Sequence, residues 1–170
     1  MENLLLKLKP KNNKRPLMIV AALFLFFSTI ALVFYFVYEK QTVISLSPND
    51  KAVVLLGKTI YEQSCLSCHG AKLEGQSNWK SRNEAGMMPA PPHDKSGHTW
   101  HHADQLLFEL TKFGLATFAG PDFKSDMPMF KDTLSDKEII AVLSYIKSTW
   151  PQDIQDKQNQ INQAYKQKSQ

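Results

Sequence analysis

Cysteine occurs only twice in the 170 residues, at positions 65 and 68, so no disulfide framework holds this chain together. A bridge between those two would close a tiny loop and contribute little stability. Charge is absent altogether from Leu17 to Tyr38, twenty-two consecutive positions. Beyond that run the net charge is zero: from Gln41 onward 14 Lys and Arg face 14 Asp and Glu. The overall charge of +4 therefore belongs to the N-terminal residues, and it is no sign of a nucleic-acid partner. Alternating polar and apolar runs are also missing, so nothing after residue 40 reads as a strand. That removes the βαβ setting a dithiol oxidoreductase needs. No internal repeat is visible.

The uncharged run is the first positive feature. As a helix, twenty-two residues extend about 33 Å, enough to cross a bilayer core of about 30 Å. A cleaved leader would have a shorter apolar region of about 7 to 15 residues and a small-residue cleavage site. This run instead ends in FYFVYEK. Lys7, Lys9, Lys11, Lys14 and Arg15 precede it against a single Glu2, and only Glu39 and Lys40 follow closely. The excess of positive charge places the N-terminus in the cytoplasm and the remainder outside. The expected organisation is a basic cytoplasmic tail (1–16), a transmembrane anchor (17–38), a linker (39–50), a domain (51–150) and a polar tail (151–170), partly disordered or helical.

Within the domain, NDKAVVLLGKTIYEQSC has Val53, Leu56, Ile60 and Tyr61 at helical spacing behind a cap at Asn49 or Asp50. Glycines and the run MMPAPPHD keep residues 70–100 irregular. ADQLLFELTKFG reads as a helix turning Leu106, Leu107, Leu110 and Phe113 inward and stopping at Gly114. LSDKEIIAVLSYIKSTW opens with a Ser135/Glu138 capping box, buries Ile139, Val142, Leu143 and Ile146, and ends before Pro151. The class is all-α with a long irregular loop.

Chemistry concentrates in SCLSCHG, where Cys65 and Cys68 flank two residues and His69 follows at once. A zinc site could add His93 and His98, or His98 and His102, but the gap from Cys68 to His93 exceeds ordinary finger spacing and leaves His69 unused. A dithiol redox switch lacks its fold. Covalent haem attachment uses every residue: each thiol adds to one vinyl group of the porphyrin, and His69 is carried under the ring to the iron.

Three segments in order carry a resemblance to the class I c-type cytochromes over about residues 51 to 150. They are Gly57-x-x-x-Tyr61-x-x-x-Cys65 leading into CLSCHG, Met127-Pro128 in MPMF, and LSDKEIIAVLSYIKS. The resemblance implies a fold of few helices and long loops around one covalent haem c. It implies that the first and last helices of the domain cross closely at Gly57, with Tyr61 meeting Tyr145. It also implies Met127 as the distal iron ligand, with Met88-Pro89 a decoy and Met129 an alternative if the loop shifts. Met87, Met88 and Met129 are otherwise expected as pliable core packing. A proline carbonyl, from Pro91 or Pro92, is implied as the acceptor for the second ring nitrogen of His69.

The cluster His93, His98, His101 and His102, beside Trp79 and Trp100, is not explained by the resemblance. One reading has these rings bonding haem propionates and loop carbonyls, with Trp79 and Trp100 as propionate contacts. Another is a copper or zinc site, and a third a partner surface whose charge changes near neutral pH. The sequence thus leads to a single-pass, membrane-anchored monohaem carrier of a bacterial cytoplasmic membrane, with its haem domain periplasmic or otherwise extracytoplasmic. It would serve membrane redox complexes in a respiratory-type chain, as an electron carrier and not an enzyme. The alternative is a metal-binding or redox-sensing haem module built on the His93–His102 loop.

Overall fold

The computed structural model describes residues 15–37, 43–120 and 122–168. The chain divides between Thr42 and Val43 into two units, each described by itself. The first contains helix α1, Arg15–Val37. Large apolar side chains such as Phe24, Phe26 and Phe27 stand exposed along it. Among the described residues no helix is long and apolar enough to cross a membrane. Residues 1–14 of the expected tail, Tyr38 at the end of the expected anchor and residues 39–42 of the expected linker lie outside the described residues.

The second unit begins with residues that were expected as free linker. Backbone N–H groups of Ile44, Leu46 and Ser47 donate to Gln105 Oε1 (3.1 Å), Asp104 Oδ2 (3.0 Å) and Ser144 Oγ (3.0 Å). Leu46 is buried. Residues 43–47 are therefore a strap on the domain, because a buried apolar side chain and three satisfied donors outweigh the entropy of a short polar stretch. The turn at 47–50 closes through Asp50 N donating to Ser47 O at 3.1 Å.

Helix α2, Lys51–Ser64, starts at Asp50, whose carboxylate accepts from the N–H groups of Ala52 and Val53. Its inward face is Gly57, Ile60 and Tyr61, with Val53 half-buried; Leu56, expected inside, is exposed. The reason is Gly57. A Cβ there would collide with the Ala141 carbonyl and come within 2.9 Å of Tyr145 Cβ. The bare backbone of α2 lies directly on α6, Asp136–Ser148, and this contact centre rotates Leu56 outward. Tyr61 and Tyr145 rings meet at 5.5 Å. Helix α6 carries the Ser135/Glu138 capping box and buries Ile139, Val142, Leu143 and Ile146, as its periodicity predicts.

Between them lie α3, Leu66–His69, a 3-10 turn at Thr99–His101, α4, Asp104–Phe113, and the single-turn α5, Ala116–Ala119. In α4 the buried positions are Asp104, Leu107, Phe108 and Thr111, whereas Leu106 and Leu110 are half-buried and Phe113 is exposed. The helix packs on α6 through a face one residue round from the leucine stripe. Gly114 stops it with φ +86°. Among the described residues the only strand-like pairing is one bridge, Met88 with Ser125.

The polar tail is the last element. Helix α7, Gln152–Lys168, buries Ile154 and Gln158. Gln158 Nε2 donates to Asp104 Oδ1 (2.6 Å) and His102 O (3.1 Å), and Asp104 N donates to Asn162 Oδ1 (2.7 Å). Lys147 Nζ lies 3.7 Å from Asp104 Oδ1 and donates to Asn159 Oδ1 at 2.8 Å. Apolar periodicity misses such a helix because polar side chains attach it.

Candidate functional site

The end of α2 delivers the two cysteines. Cys65 caps α2, its N–H donating to Tyr61 O at 2.9 Å, and the single turn of α3 follows, with His69 N donating to Cys65 O at 2.9 Å. One turn thus presents Cys65, Cys68 and His69 to the same cavity, which has a volume of about 430 Å³. Both cysteines are unbridged. Gly70 ends the turn at φ +82°, and the Tyr61 hydroxyl donates to its carbonyl at 2.7 Å, tying the attachment turn to the α2–α6 crossing. A Cβ on Gly70 would strike the Glu74 carboxylate. The local need for glycine is thus a left-handed turn.

His69 is oriented by the proline run. Its Nδ1 lies 2.9 Å from Pro91 O, and since a carbonyl only accepts, Nδ1 carries the proton and Nε2 keeps its lone pair. Pro92 does not take that role; its carbonyl faces the Thr99 hydroxyl at 3.4 Å. Gly75 makes the placement of Pro91 feasible: a Cβ there would come within 2.5–2.7 Å of backbone atoms of Ala90, Pro91 and Pro92. Gln76 then clasps Ala90 from both sides: its N–H donates to Ala90 O at 2.8 Å and its Oε1 accepts from Ala90 N at 2.8 Å.

Met127 and Pro128 reach the same cavity from the loop before α6, and Leu107, Phe130 and Val142 supply apolar lining. Met88 lines it too, held by the bridge to Ser125 and by Met88 N donating to Lys124 O at 3.2 Å. Met88 is thus a cavity residue and not core packing. Met129 is 56% exposed and rests near Gly114, so it is neither core nor cavity. Met87 is half-buried outside the cavity, its N–H on Asn83 Oδ1 at 2.9 Å.

The histidines are dealt to different tasks. His93 stacks on His69 with ring centroids 3.9 Å apart, His98 on Trp79 at 5.3 Å, and His101 on Trp100 at 3.6 Å; His98 and His102 meet edge-on at 5.5 Å. Trp79, His93, His98 and His102 line the cavity. Trp100 does not, and its indole N–H donates to Lys95 O at 3.3 Å. Among the described residues no group of three or more His, Cys, Asp or Glu side chains converges as a metal site. The pairing of His93 with His69 and the clasp of Trp150 Nε1 on His93 O (2.7 Å) escape sequence reasoning. Nothing in the sequence marks them beyond the place of His93 two positions after Pro91.

Burial sets the protonation states. It lowers the imidazole pKa of His69 despite the Pro91 bond, lowers His93 well below its usual range, and lowers His98 and His102 with help from their histidine neighbours. Neutral imidazole with a free lone pair is the form that binds iron. Burial, with Cys68 nearby, pushes the Cys65 thiol up to about 11.

The family model for cytochrome c matches residues 54–150, more than half of the chain. The chain belongs to the cytochrome c family. No curated protein and no solved structure matches. The cofactor of this cytochrome c domain is covalently bound haem c, and the Cys65–Cys68–His69 turn fits its attachment. The cavity agrees: two thiols and one lone-pair nitrogen enter it from a single turn, and its lining is largely apolar. The haem supplies a one-electron iron couple, so the domain is a haem-based electron carrier.

Proposed function

We propose that this cytochrome c is a membrane-anchored, one-electron carrier of a respiratory-type chain, with His69 and Met127 as the two axial iron ligands. The observation that carries the ligand pair is the shared cavity: His69 and Met127, fifty-eight residues apart, both line it beside Cys65 and Cys68. With a thioether in the sixth position the ferrous state is favoured and no coordination site is left for a substrate, so the protein transfers electrons and is not an enzyme. Cys65 and Cys68 hold the haem, Pro91 orients His69, and Trp79, His98 and His102 add polar rings to the cavity lining.

The anchor reading rests on the uncharged sequence 17–38, which includes positions outside the described residues. It is supported by α1, where the Ser28 and Thr29 hydroxyls donate to the carbonyls of Leu25 and Phe26 (2.9 and 2.8 Å) and so carry no unpaired polar group into lipid. Basic residues before the run orient the haem domain to the outer face of a bacterial cytoplasmic membrane. The donor would be a membrane dehydrogenase or quinol-oxidising complex, and the acceptor an oxidase or another terminal acceptor.

The test is expression of the full chain with haem c maturation, separation of membranes, and an alkaline pyridine spectrum after acid-acetone extraction. Haem that stays with membrane-bound protein and shows the band of two thioether bonds supports the proposal. Extractable haem removes the attachment, and haem protein washed off by salt or carbonate removes the anchor.

A further inference from the structure

His93 is held more firmly than a loop residue two positions past Pro91 needs to be. Its N–H donates to Leu73 O at 2.8 Å, and its carbonyl accepts from Trp150 Nε1 at 2.7 Å. Its ring lies face to face with His69, centroids 3.9 Å apart and planes 19° apart. Nδ1 lies 2.8 Å from Thr99 Oγ1. That hydroxyl is also 3.4 Å from Pro92 O, so Thr99 links the His93 ring to the Pro92 carbonyl. A chain of contacts therefore runs from Pro92 through Thr99 and His93 to the face of His69.

The two partners of His69 restrain different motions. A hydrogen bond to Pro91 O restrains Nδ1 but bends easily, so it leaves the imidazole a small rocking pivot about its Cβ–Cγ bond. A flat ring pressed on its face blocks the pivot. We propose that His93 is a positioning residue: it locks the rotation of the His69 ring, and with it the angle at which the proximal ligand plane meets the haem. The inference rests on the reading of His69 as the proximal ligand. A stacked imidazole also offers the ligand a polarisable, dipolar face, which favours the extra positive charge of ferric iron.

The test compares the full-length holoprotein with His93→Leu, which removes the flat ring at similar volume, and Thr99→Ala, which keeps the ring but frees it. The readouts are the g-values of the oxidised iron, the pattern of haem-methyl proton shifts, and the reduction potential. His93→Leu should retain covalent haem and low-spin iron, alter the g-anisotropy and methyl pattern, and raise the potential. Thr99→Ala should change all three in the same direction by less. Two haem-loaded variants with wild-type spectra and potential overturn the proposal. If His93→Leu does not load haem, a wild-type result for Thr99→Ala overturns it alone. If the wild-type iron lacks a histidine ligand by these same spectra, the reading of His69 fails first, and that outcome is recognised without either variant.

Discussion

Gly57→Ala separates two opposing effects whose sizes come from different parts of the molecule. In an exposed helix the change would stabilise by about 0.8–1 kcal/mol, because alanine loses less backbone freedom. Here the new Cβ would collide with the Ala141 carbonyl oxygen and lie 2.5 Å from its carbonyl carbon and 2.9 Å from Tyr145 Cβ. The first two are backbone atoms of α6 and cannot rotate aside, so the helices must separate. Overpacking costs typically about 1–3 kcal/mol, and backbone against backbone belongs at or above the upper end. The net expectation is a loss of about 2 kcal/mol. For a domain of this size that corresponds to a fall in Tm of about 6–10 °C. Thermal unfolding of the holoprotein by circular dichroism reads it. An unchanged or higher Tm would refute the reasoning, since it would mean that the α2–α6 crossing is loose enough for propensity to decide.

Three further outcomes are expected. Met127→Ala in a Met88→Leu background should lose low-spin character and bind carbon monoxide; an unchanged spectrum would remove Met127 from the iron. Burial raises the Tyr61 phenol well above its ordinary 10.0, so the unfolded chain releases this proton first, and the associated stability is complete below about pH 10 and lost as pH rises above it. Tyr61→Phe should flatten that alkaline loss in urea titrations, at a cost near neutrality of about 0.5–1.5 kcal/mol for the bond to Gly70 O. Asp104→Asn should cost about 3–5 kcal/mol by leaving buried Lys147 without its counter-charge. Amide exchange should then quicken in the 43–47 strap and in α7 together, and loss of protection in only one of them would contradict the shared anchor.

Much of the site was legible in the sequence because its chemistry is local. Cys65, Cys68 and His69 share one turn, and the capping box at Ser135 and Glu138 is written in four residues. The Gly57–Tyr61–Tyr145 contact followed from resemblance and is present in the structure. What escaped depends on contacts between distant positions. Pro91 and Pro92 are equivalent by composition, and only the close approach permitted at Gly75 selects Pro91. Trp100 stands outside the cavity lining, its N–H on Lys95 O. Leu56 and Phe113 point outward because a contact centre rotates each helix by about one position. The tail, expected as partly disordered or helical, is helical as α7, and Gln158, Asn159 and Asn162 attach it through polar groups that leave no apolar stripe to read.

The Asp104 carboxylate also separates what is recognised as one unit from what melts as one unit. The family match runs from 54 to 150, yet this buried anion receives its hydrogen bonds from Leu46 and Gln158, both beyond those limits. A protein trimmed to the matched segment would keep the haem turn and the helix crossing, but would open a charged pair to water on the side where strap and C-terminal helix now close over it. The cooperative unit therefore spans about 43 to 168, and its two ends are fastened to each other through a residue that belongs to neither.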